Sequence, residues 1–351
     1  MSARVAFALA LLCAGCASPE SPSPARDAAT DAPAATDAAA VRDATMTDVP
    51  EVIAPGRAEA HTWAGRPVRV WVPRGYRAEA PAPLVLMLHG CGQDPDDFAR
   101  GTGMDDVADA AGALVLYPAQ TASANALRCW NWAEASHQSR DAGEPAALAA
   151  AVAEAGRAYA VDPRRVYVAG FSAGAAMAVI LGATHPDVFA AVGVHSGLEF
   201  AAASNAFAGL AAMRTGGPDP QAQGDAAFAA MGPRARVVPV MVFHGDADGT
   251  VAAVNGDQVV AQWARTNDRA DGDADGSLSP TPSASEAGEA GGRRFVRESF
   301  RDARRGAEVI ARYRLLGAGH AWSGGRAGGS YVTEGPDASA LLWAFFAQHP
   351  R

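Results

Sequence analysis

The chain contains no lysine. All 29 of its basic residues are arginine, which excludes a lysine general base and Schiff-base chemistry. Excess positive charge is also missing. The formal net charge is -9, and a nucleic-acid partner would need a basic face. Four cysteines are too few for a disulfide scaffold and lack the clustering of a zinc site. No metal centre is expected, and no organic cofactor is implied. The N-terminal apolar run from Val5 to Leu12 is too short to span a bilayer as a helix. What is present is an ordinary globular composition, 49% hydrophobic and 19% charged over 351 residues. That length allows one large domain or two small ones.

The acidity is unevenly placed. Residues 20–51 carry seven acidic side chains against Arg26 and Arg42, and residues 267–292 carry six against Arg269. The rest is close to neutral. Arg4, the apolar run and the small residues Ala14 and Gly15 before Cys16 describe a secretory leader over residues 1–15. The small pair directly before Cys16 resembles a bacterial lipobox, with Cys13 where Leu is usual. Lipidation of Cys16 would tether the protein to a membrane face, the only membrane contact expected. Residues 16–57 are rich in Ala, Asp, Pro, Ser and Thr and lack the apolar surface needed to offset ordering, so they are expected to form a disordered tether. Export leaves Cys91 and Cys129 for the fold, and two cysteines in an oxidising compartment are expected to pair.

From residue 58 to 351 strands alternate with helices. Strands are expected at 66–72, 83–88, 113–117, 165–169, 190–194, 238–243, 294–301 and 308–315. Helices are expected at 96–111, 144–160, 173–183, 254–265 and 337–348. The unbroken apolar runs such as Pro83–Leu88 suit strands covered on both faces. This order predicts an α/β fold with a mostly parallel central sheet and helices on both faces. Residues 267–292 are expected to be a disordered surface insertion. Within them, Asp271-x-Asp273-x-Asp275-Gly276 imitates the start of an EF-hand loop. Pro282 occupies the twelfth position, where calcium needs a bidentate Glu, and no flanking helix is evident.

Gly170-Phe171-Ser172-Ala173-Gly174 falls between the strand at 165–169 and the helix from 173. That is the strand–turn–helix context of a nucleophile elbow. A serine hydroxyl needs a base and an orienting acid, and in the α/β-hydrolase order the acid follows the serine and the histidine comes last. The acid is Asp248 or Asp246, both in the loop after Phe243; Asp248, deeper in the loop, is favoured. The base is His320, in the Gly-rich loop after the strand at 308–315. His185, His195 and His349 lie in apolar or helix-end settings, and His89 is read as a loop organiser. The oxyanion donors expected are the N–H groups of Cys91 and Ala173.

Five motifs in one order resemble the polyhydroxybutyrate depolymerase-type esterase family, which includes feruloyl and acetylxylan esterases. They are His89-Gly-Cys-Gly-Gln93, Cys129-Trp-Asn-Trp132, Gly170-Phe-Ser-Ala-Gly174, His244-Gly-Asp-Ala-Asp-Gly-Thr-Val251 and Gly319-His-Ala-Trp-Ser-Gly-Gly325. The resemblance runs from about residue 60 to 349. It implies an α/β-hydrolase fold and catalytic Ser172, Asp248 and His320. It also implies a Cys91–Cys129 disulfide tying the oxyanion loop to the loop of Trp130 and Trp132. Trp130, Trp132 and Trp322 flank the motif loops and are the candidate substrate contacts. Depolymerases of insoluble polymer usually carry a further binding module, and none is recognisable after the last helix, so small or oligomeric ester substrates are expected. Two other readings stand beside a secreted serine esterase. One is a prolyl-oligopeptidase-like peptidase, which would need a propeller or cap. The other is a non-catalytic glycan- or polymer-binding lipoprotein, which would show a broken triad.

Overall fold

The structure, a computed structural model, describes residues 54–272 and 275–351. The leader expected over residues 1–15, Cys16, most of the expected tether and Asp273 lie outside the described residues. β1 (Arg57–Trp63) and β2 (Arg66–Val72) form a hairpin at one edge. Then follow β3 (Ala82–Leu88), α1 (Pro95–Thr102), α2 (Met104–Ala111) and β4 (Leu114–Pro118). Next come α3 (Gly143–Ala158), β5 (Val161–Phe171), α4 (Ala173–Thr184) and β6 (Val192–His195). α5 (Ala206–Thr215) and α6 (Pro220–Met231) precede β7 (Val240–Gly245) and α7 (Val254–Ala270). β8 (Ala284–Ala290), β9 (Arg293–Arg301) and β10 (Glu308–Leu315) follow. β11 (Trp322–Ser323) and β12 (Val332–Thr333) make a short pair, and α8 (Ala338–Ala347) closes the chain.

Ten strands form one sheet in the order β1-β2-β4-β3-β5-β6-β7-β10-β9-β8. The six from β4 to β10 run parallel, and antiparallel strands close both edges. This is the mostly parallel α/β sheet expected from the alternation of elements, and the α/β-hydrolase-type fold that the resemblance implies. The apolar runs are continuous because both faces are covered. On β3, Leu84, Leu86 and Leu88 join one core with α3, α4 and Trp263 of α7, while Val85 and Met87 join a second with Phe98, Met104 and Phe346. Among the described residues no helix is long and apolar enough to cross a membrane.

The register sets the site. Leu88 pairs with Gly170, Phe171 with His195, His195 with Phe243, and Gly245 with Leu315. The loops after β3, β5, β7 and β10 therefore leave the same carboxyl edge, where ligands bind in open α/β sheets.

Three expectations need correction. Residues 267–292 are not a disordered insertion throughout. Residues 267–270 extend α7, and Ala284–Ala290 is an edge strand paired along its length with β9. Gly291 and Gly292, both at positive φ (53° and 75°), make the two-residue turn that a Gly-Gly pair favours. The helix at 96–111 breaks at Gly103, whose φ of 63° caps α1. Arg57, expected to be the last residue of the tether, already pairs with Val72 in β1.

Candidate active site

Ser172 sits between β5 and α4 with φ 55° and ψ -120°, a strained conformation for a residue with a Cβ. Small neighbours make the turn feasible. A Cβ on Gly170 would lie 2.3 Å from the Gly174 carbonyl oxygen, and one on Gly174 would lie 2.1 Å from that of Leu88. The first turn of α4 is thus pressed against the end of β3. This contact brings the loop after β3 beside the N–H groups that open α4.

In that loop nearly every N–H is used. Gly90 donates to Gln93 Oε1 at 2.9 Å, Gly92 to the Leu127 carbonyl at 2.9 Å, and Gln93 to the Gly90 carbonyl at 3.3 Å. The Cys91 N–H has no protein acceptor among the described residues, nor does the Ala173 N–H. Two free donors at the mouth of the nucleophile turn are what an oxyanion hole needs. His89 acts as the loop organiser. Its Nε2 accepts from Gln120 N–H, its Nδ1–H donates to the Gly90 carbonyl, and its own carbonyl accepts from Trp130 Nε1. Burial lowers its pKa below the ordinary imidazole value.

Cys91 and Cys129 are joined as a disulfide. It fastens the loop after β3 to the segment of Trp130 and Trp132. Buried Glu144 at the start of α3 holds that segment from beneath, accepting from Asn131 N–H at 2.7 Å and Asn131 Nδ2 at 2.8 Å.

His320 Nδ1–H donates to Asp248 Oδ2 at 2.7 Å. Asp248 Oδ1 accepts from the N–H groups of Thr250 and Val251, both at 2.9 Å. Burial pushes the Asp248 pKa up, but the His320 bond and charge and these two donors outweigh it and hold the carboxyl below its ordinary value. It is therefore ionised and fixes the proton of His320 on Nδ1, leaving Nε2 as the acceptor. The His320 ring rests on Phe171, 4.8 Å between centres. Asp246 points elsewhere, accepting from Gly317 N–H at 2.6 Å. It braces the start of the histidine loop and does not touch His320. His244 Nε2–H donates to the Val251 carbonyl at 2.9 Å, pinning the acid loop from behind. His195 is structural. Its Nε2 accepts from Ser323 N–H, and its buried ring lies between Phe243 and Trp322.

Ser172 and His320 line one cavity of about 520 Å³ with Cys91, Phe171, Trp130 and Trp132. Ala206, Gly209, Leu210 and Met213 of α5 also line it, as do the exposed Leu127 and Tyr331. The wall from α5 is missing from the sequence reading, because an Ala- and Gly-rich segment has no marked apolar face. Trp322 does not line the cavity. It is only 2% exposed, stacks on His195 at 4.9 Å and donates Nε1–H to Ser339 Oγ, so its expected role as a substrate contact is corrected to core packing.

A family model described as "Esterase PHB depolymerase" matches residues 68–283. "Poly(3-hydroxyalkanoate) depolymerase C" of Paucimonas lemoignei is 31% identical over 254 residues, 71% of this chain and 56% of that protein. "Feruloyl esterase B" of Talaromyces stipitatus is 28% identical over 228 residues, 61% of this chain and 62% of that protein. An acetyl xylan esterase structure from Aspergillus awamori shares the fold with a TM-score of 0.63 at 19% identity, over 76% of this chain and 94% of that one. The chain spans about half the length of the curated relatives it matches.

Proposed function

The chain belongs to the esterase PHB depolymerase family, and on that premise we propose that it is an exported serine esterase that hydrolyses carboxylic esters through an acyl-enzyme. The observation that carries the proposal is the bond from His320 Nδ1 to Asp248 Oδ2, with His320 and Ser172 lining one cavity. Ser172 Oγ attacks the ester carbonyl while its proton passes to His320 Nε2. The oxyanion takes the N–H groups of Cys91 and Ala173. On collapse the leaving alcohol receives the proton from Nε2. Water then attacks the acyl-enzyme, giving its proton to the same nitrogen, and the acid departs as Ser172 recovers its own.

The cavity volume is in the range of small-ligand pockets, which supports a short ester or the end of an oligomer. Trp130, Trp132, Leu127, Leu210 and Met213 give it apolar walls suited to an aliphatic or aromatic group. The Cys91–Cys129 bridge supports an oxidising compartment. Export would leave Cys16 as the lipid-bearing residue and that lipid as the membrane contact. The test is hydrolysis of short nitrophenyl esters, methyl ferulate, acetylated xylan and hydroxybutyrate oligomers. At least one should be cleaved by the wild type and not by Ser172→Ala. Failure on every ester, or equal cleavage by the variant, would overturn the proposal.

A further inference from the structure

Away from the active site, three carboxylates converge at the far end of α7. Oxygens of Asp268, Asp271 and Asp275 lie within 4.8 Å of one another. Two oxygens bound to one calcium ion at 2.3–2.6 Å are at most about 5 Å apart, so the spacing fits a shared ion. Asp268 sits in the last turn of α7 and is 3% exposed, yet its Oδ1 has no hydrogen-bond partner among the described residues. A buried carboxylate oxygen without a donor is unfavourable, and a cation would satisfy it.

The local sequence follows the same logic. Asp271 and Asp275 stand at the first and fifth positions of a calcium-type loop. Gly276 at the sixth has φ 78°, the sharp turn such loops require. Leu278, at the eighth, is buried in the core. Pro282 removes the usual twelfth ligand, and α7 supplies a carboxylate from the other side. Two arginines share the cluster. Arg304 pairs with Asp275, and Arg305 Nη1 lies 3.9 Å from Asp271 Oδ2. Ser277 Oγ also donates to Asp271 Oδ2 at 3.2 Å. Both arginine side chains are about half exposed (52% and 54%), so each can turn to water at little cost.

We propose that Asp268, Asp271 and Asp275 bind a calcium ion that fastens the C-terminal end of α7 to the turn between β9 and β10. That turn is already joined to the loop by Ala303 N–H donating to the Ser277 carbonyl at 2.9 Å. Three carboxylates with water in the remaining positions give the weak affinity of extracellular calcium modules, with Kd about 10⁻⁴–10⁻³ M. Magnesium, which demands a tighter octahedral shell and sheds water reluctantly, should bind less well. The role is structural and separate from the ester chemistry, so its readout is stability.

The test is the melting temperature of the chelator-stripped full chain at constant ionic strength, with calcium, magnesium or neither. About 10 mM calcium should raise the wild-type Tm by roughly 2–4 °C, and magnesium should raise it less. The rise should vanish in Asp268→Asn and in Asp275→Asn, the second being an exposed position where folding is not at stake. No rise in the wild type, or the same rise in both variants, would overturn the proposal.

Discussion

The carbonyl oxygen of Leu88 occupies the space where a side chain on residue 174 would begin, 2.1 Å from the Cβ that Gly174 lacks. One contact therefore sets the distance between the end of β3, which leads into the Cys91 loop, and the first turn of α4, which follows Ser172. Gly174→Ala should force the two apart and pull the Cys91 N–H away from the Ala173 N–H. Loss of one oxyanion donor typically costs about 10²–10³ in kcat, and a fall of that order is expected with a smaller change in KM. Steady-state kinetics, with circular dichroism to establish folding, checks this. A folded variant with wild-type kcat would show that the contact does not position the donors.

The two acids of the loop after β7 should separate cleanly. Asp248→Asn keeps the shape but lets the amide hold the wrong imidazole tautomer, which should lower kcat by about 10⁴. Asp246→Asn disturbs only the Gly317 contact and should lower kcat far less. The two kcat values on one ester substrate decide it, and the reverse order would assign the acid to Asp246.

The separation of these acids also shows what the sequence could reveal. The elbow was legible because a glycine-flanked serine between an apolar strand and a helix has one geometric use. Asp248 was legible only as one of two, and the choice became physical once Asp246 was seen bonded to Gly317. β8 was hidden because nearly all of Ala284–Ala290 is exposed, so no apolar alternation marks it. Its signal was the Gly291-Gly292 turn. Trp322 was misread because proximity in sequence to His320 says nothing about which way its ring packs. Asp268 went unnoticed because it precedes the acidic motif and joins it only through the end of α7.

Stability should depend on Glu199. The residue is 2% exposed, both carboxyl oxygens lack hydrogen-bond partners among the described residues, and burial raises its pKa to about 8 from an ordinary 4.5. The native state therefore holds a proton that the unfolded chain releases. The stability this contributes is complete below about pH 4.5, falls as pH rises toward 8, and is gone above it. Glu199→Gln removes the titration. The variant should gain on the wild type as pH rises from 5 to 9, by on the order of 4 kcal/mol at most. Denaturant midpoints at the two pH values test this, and a gap that does not grow with pH would contradict it.

The disulfide should matter more to the site than to the fold. Cys91 and Cys129 are 38 residues apart, so chain-entropy arithmetic gives an upper figure of about 4 kcal/mol. Cys91→Ala with Cys129→Ala keeps the backbone donor but frees both loops. A Tm lower by several degrees and a reduced, not abolished, kcat are expected. An unchanged Tm and kcat would mean that Glu144 and the Gly92–Leu127 bond hold the loops without the bridge.

The most direct test of the central claim is the mass of the intact protein after exposure to an alkyl fluorophosphonate, which traps a serine activated by its own histidine and acid. The account predicts one stoichiometric adduct, located on Ser172 by peptide mapping, absent in Ser172→Ala and formed about 10³-fold or more slowly in His320→Ala. No adduct on the folded wild type, or an adduct that persists in Ser172→Ala, would contradict it.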